Sequence, residues 1–166
     1  QLNSIVSAQN LLAGFTTLFV GVYEPGEQTL TYASCGHEPP LILSNGTIRA
    51  LQTTGPPIGV FEAVPYRQLS TELLSGDILL LYTDGLSEAG LDRRLLLGTE
   101  GLTEILRRHG SQTDEVAVIV SRIVADVLDY GSGKLRDDAC LIVARRTYEQ
   151  LAQSPDEPRL AESLVR

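Results

Sequence analysis

The chain has 166 residues, enough for one domain with a sizeable core and too short for two comfortable ones. Its 43% hydrophobic and 20% charged content argues against a disordered chain, and no apolar run approaches the ~20 residues that cross a bilayer. A net charge of −8 with no basic stripe argues against nucleic acid and direct contact with an anionic membrane.

The opening Gln1-Leu2-Asn3-Ser4 has no basic stretch leading into an apolar core, so it is not read as a signal peptide. Leu2, Ile5, Val6 and Leu12 fall near helical spacing and suggest the end of a helix over 2–12. A strand is expected at about Phe15–Tyr23, with Leu18, Val20 and Val22 on one face and Phe15, Phe19 and Tyr23 on the other. Glu24-Pro25-Gly26-Glu27 reads as a turn, and Thr29–Ser34 should return beside the first strand as a hairpin. Ser44-Asn45-Gly46 splits Leu41–Leu43 from Thr47–Leu51, and Asn-Gly between strand-like pieces is a strong hairpin signal. Gly55-Pro56-Pro57-Ile58-Gly59-Val60 forms a stiff loop, residues 64–70 a further strand, and Ser75-Gly76-Asp77 another turn.

Ile78-Leu79-Leu80-Leu81-Tyr82-Thr83 is a continuous apolar run that reads as a buried strand, and it delivers Asp84 to its mouth. The pattern then becomes helical. Thr99 is expected to cap a helix with the stripe Leu102, Ile105 and Leu106, ending at His109-Gly110. Thr113 is expected to cap a second, with Val116, Ile119, Val120, Ile123 and Val127 as its stripe and Asp114 and Glu115 at its positive end. Asp138–Val143 is apolar on both faces and predicts a strand buried on both sides. Cys35 and Cys140 are read as reduced core residues, and the tail from about Gln150 as a loose extension. Strands first and helices afterwards point to α+β, with helices covering stacked antiparallel sheets.

Two buried strands carrying acids at their ends can bring those acids together around a divalent cation. Asp84 is one candidate ligand, and Asp137 or Asp138 the other, since adjacent residues on a strand face opposite ways. Two carboxylates about 4 Å apart repel by roughly 4 kcal/mol at an effective dielectric near 20, a penalty that Mg²⁺ or Mn²⁺ would reverse. Gly85, lacking a Cβ, is expected to let the backbone approach the metal shell closely. Asp-Gly is equally an ordinary turn, and Asp137-Asp138 equally a pair of turn acids. Cys35-x-His37 has no second pair for zinc, so His37 is read as a loop residue bonding to backbone. Glu88 is either an acid supporting a metal ligand or a solvated residue at a helix start. Thr83 and Ser87 offer hydroxyls, with no base beside either in sequence.

Leu80-Leu81-Tyr82-Thr83-Asp84-Gly85-Leu86-Ser87-Glu88-Ala89 resembles the signature of the SpoIIE-like branch of metal-dependent (PPM-type) protein phosphatases. Thr17–Val22, Gly36-His37-Glu38-Pro39-Pro40, Gly55–Val60 and Asp137-Asp138-Ala139-Cys140-Leu141 agree with it in order and spacing, over about residues 1–146. The resemblance implies an α-β-β-α sandwich, with metals between the sheets at one edge. It also implies hydrolysis of phosphoserine or phosphothreonine by metal-activated water, with no side-chain nucleophile. Carried over by position, Asp84 and Asp137 match the family's ligands, and Asp138 does so less well. The implied cofactor is Mn²⁺ or Mg²⁺. The implied partner is a phosphorylated regulatory protein, a STAS-domain antagonist in bacterial sigma-factor switching, in the cytoplasm.

The chain departs from that pattern upstream. The family places another metal-bridging Asp and an Asp-x-Ser-Gly-x-Gly segment ahead of the first strand, whereas this chain has no Asp before Asp77. The domain at 1–146 is therefore expected to be N-terminally incomplete, either as a fragment or as a natural degenerate form, with a tail at 147–166. Little or no activity is expected of the chain alone. Unpaired edges and exposed core would favour a homodimer. The competing readings are a non-catalytic pseudophosphatase or assembly module and, third, a small-molecule phosphohydrolase.

Overall fold

The computed structural model describes residues 2–8, 14–61, 64–91, 95–113 and 115–147. Strands β1 (Leu18–Glu24) and β2 (Thr29–Cys35) pair antiparallel, Leu18 opposite Cys35 and Glu24 opposite Thr29. Strand β5 (Leu69–Glu72) joins the other side of β2, giving a three-stranded sheet in the order β1-β2-β5. The second sheet holds β3 (Leu41–Ser44), β4 (Thr47–Ala50), β6 (Ile78–Tyr82) and β7 (Leu141–Arg145), in the order β4-β3-β6-β7. The β3–β4 turn takes positive φ at both Asn45 (48°) and Gly46 (79°), as a two-residue hairpin requires.

Alternation along the strands builds two cores. Leu30 and Tyr32 of the first sheet meet Ile42 and Leu79 of the second, joined by Leu51 and Leu73. Phe19 stacks on Tyr32 with ring centroids 5.7 Å apart. On the far side of the second sheet, Leu41, Leu43, Ile78, Leu80 and Tyr82 pack against two helices. These are α3 (Gly98–Gly110), through Leu102 and Leu106, and α4 (Val116–Tyr130), through Ile119, Ile123 and Val127. Each fully buried aliphatic side chain contributes about 1.5–3 kcal/mol, so this β–α layer is the main source of stability. The helix corner is fastened twice. Arg108 and His109 reach Asp126 at 3.0 and 2.9 Å, and Arg145 donates to the carbonyls of Gly110 (2.8 Å) and Thr113 (2.7 Å). The bond to Gly110 satisfies a carbonyl that the end of α3 leaves free, and the bond to Thr113 holds the loop that follows.

The α+β reading therefore holds: two stacked antiparallel sheets with helices on the outside of the second. Helix α1 (Leu2–Ala8) is tied to the 59–61 loop, where Asn3 accepts from Gly59 N–H at 2.9 Å and donates to Phe61 O at 2.8 Å. The outer face of β1 carries Val20 and Val22, which are 51% and 57% exposed.

Several local expectations differ from the structure. The first strand begins at Leu18, and Phe15 lies outside it and is exposed; Phe19 and Tyr23 do face the core. The strand expected over 64–70 lies at Leu69–Glu72, because Pro65 cannot donate to a ladder. Thr99 does not cap α3; its hydroxyl is bonded instead to the buried Tyr82 hydroxyl at 3.2 Å, and Leu97 precedes the helix. Thr113 Oγ1 accepts from Glu115 N–H at 3.1 Å, closing a turn one residue before α4 begins. The strand predicted from Asp138 is β7, starting at Leu141, and it is an edge strand with Ile142 54% exposed. Its apolarity on both faces did not mean burial on both. Cys140 is exposed, just ahead of that strand, whereas Cys35 is buried. The expectations for residues 9–12, Asp114 and the tail beyond 147 lie outside the described residues.

Candidate metal centre

Strand β6 is buried along its length except at Leu81, which is half-buried, and it ends at Tyr82. The chain then turns into a single helical turn, α2 (Asp84–Ser87), which projects Asp84 into solvent while Gly85, Leu86 and Ser87 are buried. Leu86 packs into the helix-side core and anchors the turn. Gly85 allows a backbone approach: a Cβ there would lie 2.4 Å from the carbonyl oxygen of Asp138. The close approach at Gly85 is to the 138–139 main chain, whereas the sequence reading expected an approach to a metal shell.

Asp84 lines a cavity of about 100 Å³ with Thr17, Gly36, His37, Glu38, Tyr82 and Thr83. That is room for several waters or a partly hydrated ion. Glu38 is the second acid here. Burial pushes its carboxyl above the ordinary value, the Asp84 and Glu88 charges push it further up, and His37 opposes them. Tyr82 is also raised, by burial first and by the Glu38 charge, against the hydrogen bond from Thr99. His37 Nδ1 donates to the Glu38 carbonyl at 2.8 Å, the backbone role read from the sequence. Gly36 is held at φ 66° with the Pro57 ring where its Cβ would stand, which fixes the entry of the His37-Glu38 loop.

Asp137 and Asp138 are both exposed, and Asp137 Oδ1 accepts from Asp138 N–H at 2.7 Å. Asp137 opens on a neighbouring groove of about 480 Å³, lined also by Glu88, Leu96 and Arg136. Arg136 Nε donates to Gly90 O at 3.2 Å and holds the groove's two walls together. The main chains carrying Asp84 and Asp138 touch, but Asp84 and Asp137 line separate concavities. Glu88 belongs to both neighbourhoods: it borders the groove, and its charge acts on Glu38. Among the described residues no three His, Cys, Asp or Glu side chains converge into a cation cage. The donor chemistry nevertheless fits a hard divalent cation, because carboxylate oxygens gather here closely enough for the Asp84 and Glu88 charges to act on the half-buried Glu38.

Glu38 and Thr17 were not singled out from the sequence. The signal for Glu38 was its place between a glycine and Pro39-Pro40, a stiff loop that fixes whatever acid it carries. Cys35, buried and with its thiol raised by burial, is a core residue and not a ligand.

The sequence matches the profile of the Stage II sporulation protein E (SpoIIE) family over residues 1–147. It is 30% identical over 134 residues to Protein IcfG of Synechocystis sp., covering 80% of this chain and 21% of that protein. It is 29% identical over 147 residues to the phosphoserine phosphatase RsbU of Bacillus subtilis, covering 87% of this chain and 43% of that protein. The chain thus spans about a fifth and about two fifths of these relatives. Among solved structures, it resembles the Mn-presoaked phosphatase domain of SpoIIE from Bacillus subtilis, with a TM-score of 0.69, 21% identity, and coverage of 99% of this chain and 67% of that one. The PP2C domain of SiaA from Pseudomonas aeruginosa superposes with a TM-score of 0.68 at 23% identity, covering 87% and 57%. At these identities the likeness is one of fold: the paired antiparallel sheets and flanking helices are those of PP2C-type phosphatases. With the family profile matched across both sheets and the Asp84 turn, this chain belongs to the Stage II sporulation protein E (SpoIIE) family.

Proposed function

We propose that this chain is the phosphatase domain, over residues 1–146 with a tail at 147–166, of a bacterial cytoplasmic enzyme that removes phosphate from serine or threonine of a regulatory protein. The chemistry suits a STAS-domain antagonist in sigma-factor switching. The observation that carries the reading is the pairing of Asp84 and Glu38 in one small cavity, with the Glu88 charge also acting on Glu38, next to the contact of Gly85 with the Asp138-Ala139 main chain. Asp84 and Asp137 would hold Mn²⁺ or Mg²⁺, with Asp138 as the less direct acid and the main chain at Gly85 keeping the two segments in contact. When bound, such a cation lowers the pKa of water and neutralises phosphoryl oxygens. The chain's own residues do the rest. Glu38, whose carboxyl is raised by burial and by the Asp84 charge, lines the cavity beside Asp84. Arg136 and Leu96 border the groove by which a phosphorylated segment would enter.

A second reading, a binding or assembly module without catalysis, is favoured by one observation: no three-group cation cage forms among the described residues. The exposed faces of β1 and β7 would then serve association with a partner or a second copy. A Mn²⁺ titration followed by thermal unfolding separates the readings. Saturation at 100 times the dissociation constant adds about 2.7 kcal/mol, or roughly 5–10 °C for a chain of this size. The first reading expects that shift in the wild type and its loss in Asp84→Asn and Asp137→Asn. No shift at millimolar Mn²⁺ would put the binding module ahead. On a phosphopeptide panel the chain alone is expected to be nearly inactive; a robust metal-dependent rate abolished by Asp84→Asn would overturn that expectation.

A further inference from the structure

The end of β6 faces a conflict between two hydrogen-bond patterns. With Tyr82 opposite Leu141, the next antiparallel pair outward is Thr83 and Cys140, which should exchange N–H and C=O in both directions. Half of that exchange is made, with Thr83 N–H donating to Cys140 O at 3.1 Å. The other half is not, because Thr83 C=O accepts from Leu86 N–H at 3.0 Å and so begins α2. Cys140 N–H donates to Thr83 Oγ1 instead, at 2.9 Å, and the same hydroxyl reaches Asp138 O at 3.4 Å. The side chain thus replaces the carbonyl that the helix has taken. The strand can become the turn bearing Asp84 without stranding the Cys140 amide or releasing the Asp137-Asp138 segment.

We propose that Thr83 is the positioning residue of the Asp84–Asp137 centre, its hydroxyl setting the separation of the two carboxylates and with it the affinity for a divalent cation. This deepens the proposed cation site and rests on it. The same segment is also held by the Arg136–Gly90 bond and by the close approach at Gly85, so removing the hydroxyl loosens it without detaching it. Serine at this position keeps the donor and acceptor; valine keeps the shape and loses both.

The test uses the full 166-residue chain as wild type, Thr83→Val and Thr83→Ser. One arm follows amide hydrogen exchange at Cys140, with Val143 as the reference inside β7. The other follows the Mn²⁺ midpoint by thermal shift. For Thr83→Val, Cys140 should exchange about tenfold faster while Val143 stays within about twofold, and the Mn²⁺ midpoint should rise about five- to tenfold. Thr83→Ser should restore both to within about twofold of wild type. If valine prevents folding, Thr83→Ala carries the same comparison with serine. Wild-type protection of Cys140 in the valine variant, or equal losses in the serine and valine variants, overturns the positioning role. A wild type that gains nothing from Mn²⁺ overturns the cation reading and the affinity consequence together, and the exchange arm then decides the hydroxyl's structural part by itself.

Discussion

Replacing Gly85 by alanine sets two opposed effects against each other at one atom. Alanine is the better helix former by about 1 kcal/mol, and Gly85 lies within α2, so helix propensity alone predicts stabilisation. The added Cβ would stand 2.4 Å from Asp138 O, 2.9 Å from the carbonyl carbon and 3.1 Å from Ala139 Cα. Ordinary contact begins near 3.4 Å, so the nearest atom is too close by about 1 Å, and it is backbone rather than the end of a flexible side chain. Overpacking of this kind costs about 1–3 kcal/mol, and α2 has a single turn over which to recover propensity. The net expectation is a loss of about 1–2 kcal/mol, or a fall in melting temperature of roughly 2–8 °C. Because the strain falls on the 138–139 main chain, the Mn²⁺-dependent gain should shrink as well. Thermal unfolding with and without Mn²⁺ measures both. A Gly85→Ala chain that melts at or above wild type, with the same Mn²⁺ response, would refute the close-approach argument.

Two further outcomes follow from the same geometry. Glu38 binds its proton more tightly folded than unfolded, so its contribution to stability is greatest below its ordinary value of 4.5 and falls as pH rises through the raised folded value. Glu38→Gln should therefore gain on wild type between pH 4 and 8 in metal-free melts, and a pH-independent difference would show that the carboxyl is not crowded. Ile123→Ala removes a fully buried side chain between α4 and the second sheet and should cost about 2–5 kcal/mol by urea unfolding. A loss below about 1 kcal/mol would mean that this layer is not the principal core.

Much of the fold can be read from local chemistry because local chemistry decides it. Asn45-Gly46 admits the two positive φ angles of a tight hairpin, and the apolar run at 78–82 is buried because it pairs on both sides between β3 and β7. The stripe of α4 was legible from its period although its β-branched residues are poor helix formers. What could not be read depended on distant partners. Thr99 looks like a cap, but the buried Tyr82 hydroxyl claims its side chain. β7 looks doubly buried, but its outer position leaves Ile142 in water, which no pattern within the strand records. At the site, the placement of Asp84 at the end of β6 was legible, whereas the contact of Gly85 with the 138–139 main chain was not, and Glu38 enters only through the folding of the 36–40 loop over the end of β6.

The four-residue length of α2 has a thermodynamic consequence. One helical turn has no cooperative stability of its own in water, so the conformation presenting Asp84 is borrowed from Leu86 in the core and from the 138–140 backbone beside it. The local opening free energy of that turn is then a readout of packing between β6 and α3, many residues away in sequence. A core substitution in α3 that leaves the global fold intact should still raise the fraction of molecules with Asp84 misplaced. Cation affinity would decline before any loss of secondary structure is seen. For the proposed cation site, the binding isotherm would then be a more sensitive gauge of core integrity than the unfolding curve.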